Sequence, residues 1–114
     1  MAREYQYKID GVSPARLREL RGFCEQYTEK RKQASQTKDE AERARLLSDV
    51  ALIDHCLFRA CDDEAPMVEV LRENVVLRHG IRRLNLPPCS VATLYRKRAA
   101  FFRLLNDLHG KTTA

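Results

Sequence analysis

Ser90-Val91-Ala92-Thr93-Leu94-Tyr95-Arg96-Lys97-Arg98-Ala99-Ala100-Phe101-Phe102-Arg103-Leu104-Leu105-Asn106-Asp107-Leu108-His109 is the stretch whose reading decides the fold. It contains neither Pro nor Gly, and at 100° per residue it separates into two faces. Val91, Leu94, Phe101, Leu105 and Leu108 share one side, widened by Tyr95 and Phe102. Ala92, Thr93, Arg96, Lys97, Ala100 and Arg103 share the other. The pattern predicts a long amphipathic helix that opens at Cys89-Ser90 and ends at His109, with Gly110 as its stop.

Working back from this helix, Leu86-Pro87-Pro88 cannot be helix interior, because each Pro removes a backbone donor and clashes with the preceding turn. Ile81 to Leu84 is at most a short helical turn, and His79-Gly80 ends the helix before it. That helix carries Met67, Val70, Leu71 and Val75 and reaches about Arg78. Asp62-Asp63-Glu64-Ala65-Pro66 reads as its start, with acidic residues for the N-terminus and a Pro for the first turn. A further helix carries Ala44, Leu46, Leu47, Val50, Ile53, Leu57 and Ala60 at helical spacing, up to about Cys61. Thr37-Lys38-Asp39-Glu40 matches a capping box at its start, with Thr37 as the cap.

The first helix is expected from Ser13-Pro14 to about Ala34 as one piece, with Ser13 as cap and Pro14 at the first helical position. Leu17, Leu20, Phe23, Cys24, Tyr27 and Arg31 form its stripe, and Ser35-Gln36-Thr37 breaks it from the next. Two amphipathic helices with a short connection imply an antiparallel hairpin. Residues 1–12 read as an arm. Tyr5, Tyr7 and Ile9 alternate there with polar residues, Asp10-Gly11 forms a turn, and the two Tyr are expected to pack on a helix.

The expected fold is all-α, an antiparallel helical hairpin followed by a C-terminal helix-turn-helix with a long last helix. Its parts are the arm at 1–12, the hairpin at 13–62, the helix-turn-helix module at 63–110 and a tail at 111–114. The chain has 114 residues, 44% apolar and 32% charged, which suits one domain with a real core. Only 4 Gly and 4 Pro punctuate it, too few for a sandwich or barrel of short strands. No apolar run approaches the ~18 residues of a membrane span, and Met1 to Tyr5 lack an apolar leader. The expected location is therefore cytoplasmic, associated with the nucleoid, with no membrane partner.

Net charge is +5, unevenly spread. Residues 1–64 hold 12 Lys/Arg against 13 Asp/Glu, while residues 65–114 hold 9 against 3. A basic half joined to a neutral one is the footprint of a polyanion-binding module. The polar face of the last helix joins small residues near its start to cations. Small side chains let a helix backbone enter a DNA major groove, Ser and Thr meet phosphates or base edges, and Arg bridges guanine O6 and N7. The expected DNA-binding residues are Ser90, Ala92, Thr93, Arg96, Lys97 and Arg103, with Arg82 and Arg83 on the flanking backbone.

Leu84-Asn85-Leu86-Pro87 followed by Ser90-Val91-Ala92-Thr93-Leu94-Tyr95-Arg96-Lys97-Arg98 resembles the helix-turn-helix of sigma-factor region four and of phage regulators of the ArpU and RinA type. The likeness covers about a quarter of the chain, Ile81 to Leu105. It departs from those families at Pro87-Pro88, where they carry one Pro or none. The phage regulators also place a helical hairpin ahead of this module. The resemblance implies a transcriptional regulator of a phage or mobile element.

Other chemistries find little support. Cys24, Cys56, Cys61 and Cys89 include no Cys-x2-Cys pair, so no metal site is expected, and Cys24 and Cys56 read as small core residues. His55, His79 and His109 are scattered, no Gly-rich phosphate loop occurs, and neither an enzyme nor a cofactor is expected. Tyr95, Phe101 and Phe102 read as core rather than as base-stacking platforms. The expected partner is double-stranded DNA. Two alternatives stay open: a protein-interaction module docking an acidic partner such as RNA polymerase, and a small-terminase-like DNA-packaging subunit. The hairpin stripe serves either the internal core or a homodimer.

Overall fold

A computed structural model describes residues 9–78 and 90–109. The described residues form an all-α fold of five helices: α1 (Pro14–Glu25), α2 (Tyr27–Gln36), α3 (Glu40–Ala60), α4 (Ala65–Val75) and α5 (Val91–Leu108). The Asp10-Gly11 turn precedes them. Val12 donates its N–H to the Ile9 carbonyl at 3.1 Å, and Gly11 takes the left-handed φ of +87° that favours glycine. The packing expected of Tyr5 and Tyr7 lies outside the described residues.

α1 starts as its sequence dictates. The Ser13 side chain accepts the Arg16 N–H at 3.1 Å, and Pro14 occupies the first turn. The helix expected to continue to Ala34 is instead interrupted at Gln26, whose N–H bonds back three residues to Phe23. The buried residues Leu17, Leu20, Cys24, Tyr27 and Ala34 follow a spacing near 3.5, whereas an α-helix turns every 3.6. One tightened turn at Gln26 takes up that drift and keeps the stripe on the core.

α2 and α3 form the antiparallel hairpin. Its tip is held by Arg43, which donates to the carbonyls of Ala34 at 3.0 Å and Thr37 at 2.5 Å. The cap of α3 is Asp39, not Thr37: the Asp39 carboxylate accepts from the N–H groups of Ala41 and Glu42. Thr37 stands two residues back and accepts the Asp39 N–H at 3.2 Å. A carboxylate at the positive end of a helix outcompetes a hydroxyl for that position.

The end of α3 uses residues that the sequence pattern assigned to the start of α4. Asp63 donates its N–H to Phe58 O at 2.8 Å and Asp62 to Arg59 O at 3.3 Å, a Schellman closure with Asp62 in the position usually given to glycine. Both aspartates have positive φ, 53° and 62°, which Asp tolerates better than most residues. α4 then begins at Ala65 with Pro66 in its first turn and ends at Val75, earlier than Arg78.

One cluster of buried side chains draws on all five helices. α3 is its centre, packing α2, α4 and α5. It contributes Val50, Ile53, Cys56, Leu57 and Ala60, and α5 contributes Leu94, Phe101, Phe102 and Leu105. Asp54 ties three helices together, accepting from Tyr27 Oη at 2.7 Å and from Arg72 Nη2 at 3.2 Å. Asp39→Ala is expected to cost about 1 kcal/mol of stability by loss of the cap, and Thr37→Ala clearly less. Urea midpoints of the two variants measure the difference, and a larger loss for Thr37→Ala would reverse the cap assignment.

Candidate nucleic-acid interface

α5 is held along one side by its buried stripe and shows the other to solvent. Phe101 and Phe102 meet edge to face with ring centres 5.0 Å apart, a favoured aromatic geometry. Arg98 lies within this buried side, only 7% exposed, with its guanidinium 4.9 Å from the Phe102 ring centre. It sits four residues from both Leu94 and Phe102, so the helical period that marks the stripe also marked its place. Val91, expected on the same stripe, is 40% exposed, because it stands in the first turn beyond the reach of the core.

The far end of α5 is clasped to α1. Arg16 donates from Nε to Asn106 Oδ1 at 2.8 Å and from Nη2 to the His109 carbonyl at 2.9 Å. That second bond lies against the negative end of α5, where a cation is favoured. The His109 ring packs on Phe23 with centres 4.3 Å apart. Burial, then the neighbouring Arg16 charge, hold the His109 pKa below its ordinary value.

The outward face near the start of α5 carries a short polar ladder. Ser90 caps the helix by accepting the Thr93 N–H at 3.1 Å, and its hydroxyl lies 3.1 Å from the Thr93 hydroxyl. Arg96 Nη2 donates to Thr93 Oγ1 at 3.0 Å. Ala92, Arg96 and Arg103 are exposed, with Thr93 and Ala100 half-buried between them. Of the expected contact residues, Ser90, Ala92, Thr93, Arg96 and Arg103 are thus brought to one face. Lys97 is drawn to its edge by Asp62, whose carboxylate lies 3.0 Å from Nζ. Asp107 shares the exposed side and adds one negative charge near its end. Arg82 and Arg83, the short helix before the turn, and the turn itself lie outside the described residues.

The Asp62–Lys97 pair was not foreseen, because it joins positions 35 residues apart through a turn geometry that sequence spacing does not encode. Cys24, Cys56 and Cys61 are all buried. Burial, reinforced by Cys56, pushes the Cys24 thiol up to about 12, and burial pushes Cys56 up to about 11. Both pack in the buried core, where their place on the apolar stripes put them. Among the described residues no group of three His, Cys, Asp or Glu side chains converges to hold a metal ion. No described helix is long and apolar enough to cross a membrane. Compared with protein-family models, with characterised proteins and with solved structures, the chain matches none.

A histidine held neutral in the fold takes up its proton more readily in the unfolded chain. Its contribution is intact above the unfolded value near 6.5 and falls away as pH drops from there through the lower folded value. The thermal midpoint is therefore expected to fall between pH 7.5 and 5.0, and His109→Gln to flatten that dependence. Equal slopes for the two proteins would remove His109 as the cause.

Proposed function

We propose that the chain is a duplex-DNA-binding protein that lays the outward face of α5 into the major groove, acting as a transcriptional regulator of the phage or mobile-element type. The observation that carries this reading is the composition of that face. Exposed Ala92, Arg96 and Arg103 lie along it, with half-buried Ala100 packed on the core between them and Asp107 near its end, while the opposite side of the same helix is fixed in the core. A helix about 10–12 Å across matches a major groove of ~12 Å. Ser90 and Thr93 stand at the end of the helix that approaches bases in helix-turn-helix proteins. The resemblance of Leu84–Arg98 to phage regulators supports the regulatory part of the reading.

Lys97, paired with Asp62, serves as an edge contact to phosphate, so the main electrostatic terms are Arg96 and Arg103. Replacing both by Ala is expected to weaken binding to random duplex and to lower the salt slope by about 2, one unit for each lost phosphate contact. Gel shift or fluorescence anisotropy across salt concentrations reads both quantities, with helicity checked by circular dichroism. Absence of binding by the unmodified chain at ~50 mM salt, where the phosphate term is strong, would instead favour docking to an acidic protein surface.

A further inference from the structure

Among the described residues, Lys97 ends on a carboxylate while the two arginines beside it on α5 do not. Arg96 donates to the neutral Thr93 hydroxyl at 3.0 Å, and Arg103 is exposed. Lys97 Nζ lies 3.0 Å from Asp62 Oδ2. The two side chains differ in exposure, 77% for Asp62 and 23% for Lys97, so an approaching polyanion meets the carboxylate first.

Asp62 stands at φ 53°, in the left-handed region where a helix end usually carries Gly or Asn. Asp63 follows at φ 62° and is exposed as well. Of the two, Asp62 is the one set against Lys97. The pair can open without turning α5. Leu94, Phe101, Phe102 and Leu105 fix that helix in the core, whereas an ion pair near the surface adds at most about fivefold to an equilibrium constant.

Resting on the duplex-binding reading, we propose that Asp62 is an internal competitor for DNA phosphate. It holds the Lys97 ammonium in the free protein and yields it to a phosphodiester of the duplex on binding. Arg96 and Arg103 reach DNA without an anionic partner and release its counterions. Lys97 only changes one anion for another, and the carboxylate it leaves gathers a cation in turn. Its phosphate contact therefore adds close to nothing to the salt slope, where an unpaired cation adds about 0.9. The abandoned carboxylate also stands within a Debye length, about 8 Å at physiological salt, of the phosphate that displaced it. Like charges so placed oppose binding. Asp62 thus lowers affinity for every duplex alike, and leaves contacts to base edges a larger share of the binding that remains.

Asp62→Asn removes the charge and keeps the turn, because Asn adopts the left-handed region readily. Asp63→Asn removes the same charge one residue away and serves as the control. Fluorescence anisotropy on a random duplex of ~20 base pairs, from ~50 to ~300 mM salt, reads affinity and slope together. At ~100 mM salt, Asp62→Asn is expected to bind ~3–10-fold tighter than the unmodified chain and to steepen the slope by about 1. Asp63→Asn is expected to change affinity less than ~2-fold and to leave the slope as it was. With Lys97→Gln in place, the gain from Asp62→Asn is expected to shrink below ~2-fold, since no phosphate is then drawn beside position 62. Circular dichroism and urea midpoints check that each variant keeps the fold. Equal effects of Asp62→Asn and Asp63→Asn, or a gain that survives Lys97→Gln, would overturn the inference and leave duplex binding standing. Absence of binding by both the unmodified chain and Asp62→Asn at ~50 mM salt would overturn the two together.

Discussion

Burial of one side of α5 in the core centred on α3 is the constraint on which the rest depends. Leu94, Phe101, Phe102 and Leu105 are withdrawn from water, and each such side chain stabilises the fold by about 1.5–3 kcal/mol relative to exposure. Once that stripe is fixed, the rotation of α5 about its own axis is fixed as well. Ala92, Arg96 and Arg103 then have nowhere to point but outward. Arg98 shows how strong the constraint is: a permanent charge is kept against an aromatic ring rather than allowed to turn the helix.

The two ends of α5 are held by different chemistry. At its start Ser90 closes the helix, and two turns further on Lys97 reaches the carboxylate that the α3 terminus presents. At its finish Arg16 of α1 holds both Asn106 and the His109 carbonyl. Asp62 has two tasks in this arrangement. Its backbone ends α3, and its side chain holds α5. Glycine would serve the first task with less strain and could not perform the second.

Much of the architecture was legible in the sequence. The apolar periods of residues 46–60 and 94–105, the Ser13-Pro14 and Ser90 starts and the Asp10-Gly11 turn are local signals, and each lies where its pattern put it, while Ala44, Leu47 and Val91, counted on those stripes, are exposed. What escaped was non-local or competitive. Thr37 and Asp39 both suit a helix start, and only the folded backbone chooses between them. Asp62-Asp63 carries equal promise as the end of one helix or the beginning of the next. The break at Gln26 follows from a mismatch between 3.5 and 3.6 residues per turn that matters only when the stripe must track a core. Of the candidate DNA-contact residues, those on the wheel face of α5 were readable from period alone. The pairing of Lys97 required knowing which turn stood beside it.

The three buried cysteines make the core self-reporting. Cys24, Cys56 and Cys61 come from α1, α3 and the turn that follows α3, and all are closed to solvent. Burial shields all three from reagent while the helices stay packed and pushes the Cys24 and Cys56 thiols up, so that they become ordinary nucleophiles only once the helices part. The rate at which a thiol reagent consumes them is therefore a clock for transient opening of the helical body. Because the three sit at different depths along the chain, that clock has separate hands for the α1 side and the α3 terminus.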